Sequence, residues 1–279
     1  MMRLPFFEFR APQTLDEAAR ILDGEGANAM PIAGGTDLLP NMKRRQQVPR
    51  TLMSLRHIES LGRAEFASSA VRLGACLTLT DISNDLRFRN GLTALAQAAS
   101  QVATPQIRNM ATLGGNLCLD TRCNYYDQNY EWRKAIGFCL KKDGSTCWVA
   151  PGSSKCMAVS STDTAPALMA LGARVRLVSR SSERQVALSE LYNNDGLHYI
   201  NADQTNCLRK CWSIRCTVGR VRTGNFAAAA RLTFRSCPWQ RRRKFPRRAS
   251  SNRLALWWAL PPASRSSPAR RVIFCRDAD

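Results

Sequence analysis

The sequence predicts an α+β fold of two small units, residues 1–60 and 61–200, followed by a segment of different character over 201–279. Three observations carry this. Helical stripes alternate with short apolar runs as far as residue 200. Each unit holds a Gly-Gly turn, Gly34-Gly35 in the first and Gly114-Gly115 in the second. The charge is uneven: of 41 Lys and Arg and 21 Asp and Glu, residues 201–279 hold 18 and 3, so +15 of the formal +20 lies there.

The elements follow in order. Thr14-Leu15-Asp16-Glu17 has the form of a capping box, and Leu15, Ala18, Ala19 and Leu22 fall at helical spacing behind it. Gly24 and Gly26 mark the end of that helix. Ala29 to Ala33 is a short buried strand running into Gly34-Gly35-Thr36-Asp37, and Thr51 to Leu55 supplies another. The second unit opens with a strand from Val71 to Gly74. Leu92, Leu95, Ala96, Ala99 and Val102 then mark a helix closed by Pro105. Cys118 to Met157 has no clear period. Thr164 to Leu171 is helical, and Ala173 to Val178 alternates as a strand.

No apolar run approaches the ~20 residues that span a bilayer, and the N-terminus lacks a signal-peptide pattern. A cytoplasmic protein without a membrane or nucleic-acid partner is the expectation for residues 1–200, which carry 23 Lys and Arg against 18 Asp and Glu. Eleven cysteines are many for a reducing compartment and raise the question of metal ligation.

Beyond Ile200, Arg, Ser, Pro, Cys and Trp crowd in and periodicity disappears. A disordered basic arm is one reading, but Trp257, Trp258, Phe274 and five cysteines are poor material for it. A shifted reading frame is the other. Taking the third base of each codon with the first two of the next, Thr223 to Arg242 can read Trp-Lys-Leu-Arg-Arg-Arg-Gly-Ser-Phe-Asp-Phe-Pro-Val-Leu-Ser-Val-Ala-Ala-Ala. Residues 201–279 are therefore expected to be an out-of-frame, disordered tail in place of a C-terminal domain.

Gly34-Gly35-Thr36 after a strand suits a phosphate, because glycine lets backbone N–H groups approach an anion and Thr36 adds a hydroxyl. Thr112-Leu113-Gly114-Gly115-Asn116 repeats the arrangement, and two such loops suit a diphosphate held between subdomains. Ala33-Gly34-Gly35-Thr36-Asp37-Leu38, Ile107 to Asn116 and Ser161 to Leu168 together resemble the FAD-binding subunits of the xanthine dehydrogenase and carbon monoxide dehydrogenase family. The resemblance spans residues 4 to 200 and implies a two-subdomain fold of the p-cresol methylhydroxylase/vanillyl-alcohol oxidase type. It implies that Met30, Pro31, Ile32, Ala33, Gly34, Gly35, Thr36 and Asp37 wrap the diphosphate. Thr112, Gly115 and Asn116 would touch diphosphate and flavin, and Asp163 the ribityl chain. On spacing alone Asp163 is equally an N-cap. The shifted Trp-Lys-Leu-Arg-Arg-Arg-Gly-Ser-Phe-Asp-Phe-Pro resembles the start of that family's C-terminal domain.

Cys123, Cys139, Cys147 and Cys156 lie between the second and third of those blocks, with 15, 7 and 8 residues between them. The close Cys-x-x-Cys spacing of a zinc ribbon is absent. Four unrelated thiols in a surface loop, or four ligands of one iron–sulfur cluster, both suit the spacing. The inserted loop at 118–157 resembles that of 4-hydroxybenzoyl-CoA reductase β subunits, which implies one 4Fe–4S cluster on these four cysteines. Tyr125, Tyr126, Tyr130 and Trp132 are expected to pack around it, Cys118 to pack in the fold, and Cys76 to be a core residue on a strand. His57 and His198 are expected to be structural.

The resemblance implies an oxidoreductase subunit without catalytic acid–base residues of its own. It would relay electrons from a ferredoxin-like donor, through its cluster and FAD, to 2Fe–2S centres on a small subunit. A molybdopterin site on a large subunit would then dehydroxylate 4-hydroxybenzoyl-CoA, a step of anaerobic aromatic degradation. The alternative within this class is the FAD subunit of an aerobic molybdenum hydroxylase such as a carbon monoxide or xanthine dehydrogenase. The alternative from another class is a basic nucleic-acid-binding protein, which rests wholly on residues 201–279.

Overall fold

The computed structural model describes residues 3–68, 70–201 and 215–219. Strands β1 (Glu8–Arg10), β2 (Ala29–Ile32) and β3 (Thr51–Ser54) form a parallel sheet in the order β1-β3-β2, with Ala29 opposite Thr51 and Ile32 opposite Ser54. Parallel neighbours need crossovers, and helices α1 (Leu15–Glu25) and α2 (Leu38–Lys43) lie in the two connections. The Thr14 side chain caps α1 by accepting the Glu17 N–H at 3.2 Å. The Glu17 carboxylate reaches one residue further than a capping box requires and accepts the Gln13 N–H at 2.9 Å. Ala18, Ala19 and Leu22, the predicted stripe, are buried. The central strand β3 is buried at every position.

A second, antiparallel sheet has the order β4-β5-β8-β6-β7, from β4 (Ala64–Phe66), β5 (Ala70–Leu73), β6 (Arg174–Val178), β7 (Glu183–Ala187) and β8 (Arg215–Gly219). Strand β8 corrects the expectation that everything after residue 200 lacks regular structure. The facing edges of β5 and β6 both carry backbone groups that need partners, and β8 pairs with each. The remainder of the frameshift reading concerns residues outside those described.

Helices α3 (Leu79–Asn84), α4 (Leu86–Gly91) and α5 (Thr93–Gln101) follow β5. Only the last was predicted, because the other two have a single turn and a half each and leave little periodicity. Pro105 does not close α5 but opens α6 (Pro105–Arg108), where its missing N–H costs nothing. The short helices α7 (Leu113–Leu117) and α9 (Thr164–Ala170) flank the cysteine-rich segment. That segment is irregular apart from α8 (Tyr130–Ala135), which Asn129 caps by accepting the Trp132 N–H. Its neck is pinned by two backbone hydrogen bonds between Arg122 and Val159, of 2.7 and 2.9 Å. Buried apolar side chains from α1, β3, α3, α5, α7, α9 and β6 join in one cluster, and the functional loops lie at its rim.

Candidate functional site

The pocket at the two glycine loops, the main pocket for the predicted site, has a volume of about 390 Å³, inside the ~300–1,000 Å³ range of small-molecule sites. A neighbouring cavity lined by Cys156, Thr162 and Tyr192 is similar in size at about 430 Å³. The wall of the main pocket includes every residue from Met30 to Asp37, with Thr112, Gly115, Asn116 and Asp163. All twelve residues predicted to bind the organic cofactor therefore meet on one cavity, although they come from three separated segments.

Within the Gly-Gly pairs the burden falls differently from expectation. A Cβ on Gly34 would collide with the Met110 carbonyl, and one on Gly114 would lie 2.8 Å from the Ala75 side chain. These first glycines let backbone pack on backbone. Gly35 has a φ of +71°, a left-handed conformation that a side chain disfavours. Thr112 is buried and caps α7, accepting the Gly115 N–H at 3.1 Å.

Asn116 joins the second loop to the third segment. Its Oδ1 accepts from Thr162 Oγ1 at 2.8 Å, Thr164 Oγ1 at 2.6 Å and the Thr164 N–H at 3.1 Å. Asp163 makes no side-chain cap to α9, so the N-cap alternative is not realised. Its carboxylate borders the pocket instead, where burial raises its pKa. Asp37 turns toward protein: it pairs with Arg122, and its Oδ2 accepts Asn41 Nδ2 at 3.2 Å and the Asp120 N–H at 3.3 Å. Burial raises the Asp37 pKa, against the lowering pull of the Arg122 guanidinium. Arg122 is the lone cationic side chain on a pocket wall that also holds Asp37, Asp120 and Asp163, among the described residues.

Cys123, Cys139, Cys147 and Cys156 line one small cavity of their own, with Tyr125, Tyr126, Lys141 and Trp148. Cys139, Cys147 and Cys156 are buried, and all four are free thiols. Among the described residues no three His, Cys, Asp or Glu side chains close into a single-ion site. The cysteines share a space without converging on a point, whereas a zinc ion requires bonds of about 2.3 Å to each sulfur. Burial works to raise the Cys147 thiol, but the N–H groups of Met157, Ala150 and Val149 outweigh it and hold its pKa below the ordinary value. Burial raises that of Cys156, opposed by the Ala158 N–H and the Lys141 ammonium.

Other expectations need correction. Tyr130 and Trp132 are exposed and do not line the cysteine cavity; Trp148 takes that place. Cys76 follows β5 on a turn, not on the strand. Its thiol donates to the Leu55 carbonyl at 3.5 Å, and burial pushes its pKa up to about 11. Cys118 packs against the core as expected. His57 and His198 are both exposed, away from either cavity.

Sequence reasoning missed the wall between the two cavities. The Lys141 side chain is only 5 % exposed and donates to Asp120 Oδ1 at 2.8 Å, to Thr121 Oγ1, and to the Gly196 carbonyl at 2.9 Å. Its ammonium also stands 5.0 Å from the centre of the Tyr126 ring and 5.7 Å from that of Tyr199. Behind α2, Arg44 pairs with Asp127, Gln46 donates to the Tyr126 carbonyl at 2.8 Å, and Gln47 lies 3.5 Å from Asp120. The cysteine-rich segment is thus tied to the first Gly-Gly loop.

Residues 5–204 match the model of the FAD binding domain in molybdopterin dehydrogenase. A stretch of 113 residues is 40 % identical to the nicotinate dehydrogenase FAD-subunit of Eubacterium barkeri, covering 40 % of this chain and 38 % of that one. Another, of 178 residues, is 32 % identical to the aldehyde oxidoreductase FAD-binding subunit PaoB of Escherichia coli, covering 59 % and 54 %. The chain thus spans between about two fifths and a half of these relatives. A solved carbon monoxide dehydrogenase from Hydrogenophaga pseudoflava shares the fold at a TM-score of 0.59 and 22 % identity, over 80 % of this chain and 62 % of that one. Among the described residues no helix is long and apolar enough to cross a membrane.

Proposed function

We infer the function from one premise: the chain belongs to the family of FAD binding domains in molybdopterin dehydrogenases. The main pocket suits FAD. Two glycine-rich loops present backbone close to the cavity, and Asp163 stands free of any helix cap, while the wall's cation, Arg122, is already paired with Asp37. Met30 to Asp37 with Thr112, Gly115 and Asn116 would hold the diphosphate side, and Asp163 the ribityl hydroxyls. Bound FAD would supply a carrier able to exchange electrons singly or in pairs. The protein's part is to orient it and exclude water.

The second cavity extends this to an electron relay. We assign Cys123, Cys139, Cys147 and Cys156 as ligands of one 4Fe–4S cluster, which would supply a one-electron store beside the flavin. The observation that carries the assignment is that all four line one small cavity, whose border residue Lys141 is bonded to Asp120 on the wall of the main pocket. Thiols scattered through a loop would have no reason to share a buried space. The fold assigned is the p-cresol methylhydroxylase/vanillyl-alcohol oxidase type, with subdomains at 1–60 and 61–200.

In this reading the chain is the FAD and iron–sulfur subunit of a cytoplasmic molybdenum enzyme. Its partners are a molybdopterin-binding large subunit, a small subunit with 2Fe–2S centres, and a ferredoxin-like donor. The four-cysteine insertion favours reductive dehydroxylation of 4-hydroxybenzoyl-CoA to benzoyl-CoA on the large subunit. A second reading, an FAD subunit of a nicotinate or carbon monoxide dehydrogenase type, draws on the names of the relatives. Iron analysis separates the two. Anaerobically purified complex should hold about four iron atoms on this chain, and Ala at any one of the four cysteines should remove the cluster while Cys76→Ala keeps it. A full cluster signal in Cys139→Ala or Cys147→Ala would overturn the ligand set.

A further inference from the structure

Lysine side chains are seldom withdrawn from water, and that of Lys141 is only 5 % exposed. Its ammonium has a complete set of three acceptors, Asp120, Thr121 and Gly196, so it is held in one place. The two residues of the pair line different cavities. Lys141 borders the cysteine cavity and Asp120 the main pocket. Tyr126 closes the cluster side of the wall, donating to Asp120 Oδ2 at 3.3 Å, and Tyr199 closes the pocket side. The other buried cation nearby, Arg133, pairs with Asp143 and does not line either cavity. Both members of the Lys141–Asp120 pair are below 10 % exposed, so salt screens them little.

We propose that Lys141 and Asp120 form a fixed dipole across the wall that raises the reduction potential of the group held by the four cysteines relative to that of the flavin. The proposal rests on the two-cofactor reading above. Reduction adds one negative charge to a cluster, and a permanent positive charge at its edge stabilises that state. The negative end acts on the flavin side in the opposite sense. In a relay that runs from cluster to flavin the pair therefore narrows the gap between the two potentials, and it does so without any proton changing place. Lys141 is a positioning residue in this account, since it touches no reacting atom.

The test uses the purified complex and a pair of neutral replacements. K141Q/D120N keeps an amide at each position and removes both charges together, so neither is left buried without its counter-ion. K141R keeps the charge. Cluster and flavin midpoint potentials are read by titration followed with electron paramagnetic resonance and absorbance, alongside iron content. In K141Q/D120N the equilibrium for reducing the cluster with the flavin should fall at least tenfold, which is 59 mV for one electron, and K141R should restore most of it. An unchanged gap in folded, iron-loaded K141Q/D120N overturns the proposal while leaving the cluster reading intact. An iron-free native complex overturns the cluster reading itself, and the proposal with it.

Discussion

The two Gly-Gly loops and the cysteine-rich segment border neighbouring cavities but are built on opposite principles. In the loops, the backbone makes the site. Gly34 and Gly114 are there because any Cβ would strike a neighbouring chain segment, so the loops hold their shape through close packing. In the cysteine-rich segment, side chains make the site. Only α8 is regular there, and the rest is held by the Arg122–Val159 neck and by Lys141, Gln46 and Arg44 reaching across to other segments. A site made of backbone tolerates no added atom. A site made of side chains depends on which of them stay paired.

Breaking the loops should have the largest effect. Gly34→Val must separate the two loops at Met110, and it should lose FAD and cost about 3 kcal/mol or more in stability, read by urea denaturation. Asn116→Ala should come next. It strips one acceptor from two hydroxyls and a buried N–H, at about 2–3 kcal/mol, with FAD binding weakened more than tenfold by equilibrium dialysis. Equal FAD affinity in that variant would show that the second and third segments hold their places without the amide. Thr14→Ala sharpens the comparison from outside both cavities. Losing the α1 cap should cost about 1 kcal/mol of stability and leave flavin and iron contents unchanged.

Much of the loop site was legible in the sequence because its signals are local. Gly-Gly beside Thr or Asn, and a short strand before it, state the backbone geometry within a few residues. All twelve predicted positions lie on the main pocket for that reason. The cysteines were legible as residue types, and their shared cavity follows from the segment's fold. The wall was not legible. Its ties join residues far apart, such as Gln46 with Tyr126 and Arg44 with Asp127, separated by 80 and 83 positions. Nothing in their local spacing marks them. Lys141 reads in sequence as one more surface cation beside Lys142 and acquires its meaning only when Asp120 and Gly196 are brought to it. Strand β8 escaped for a similar reason: its five residues pair with β5 and β6, both remote in the chain.

The central claim is that the two glycine loops form a flavin site, and the most direct measurement is the flavin released by acid from the purified complex, counted per chain. The account predicts about one FAD for the native chain and none for Gly34→Val purified in the same way. A folded native complex without flavin, or Gly34→Val retaining one FAD per chain, would contradict it.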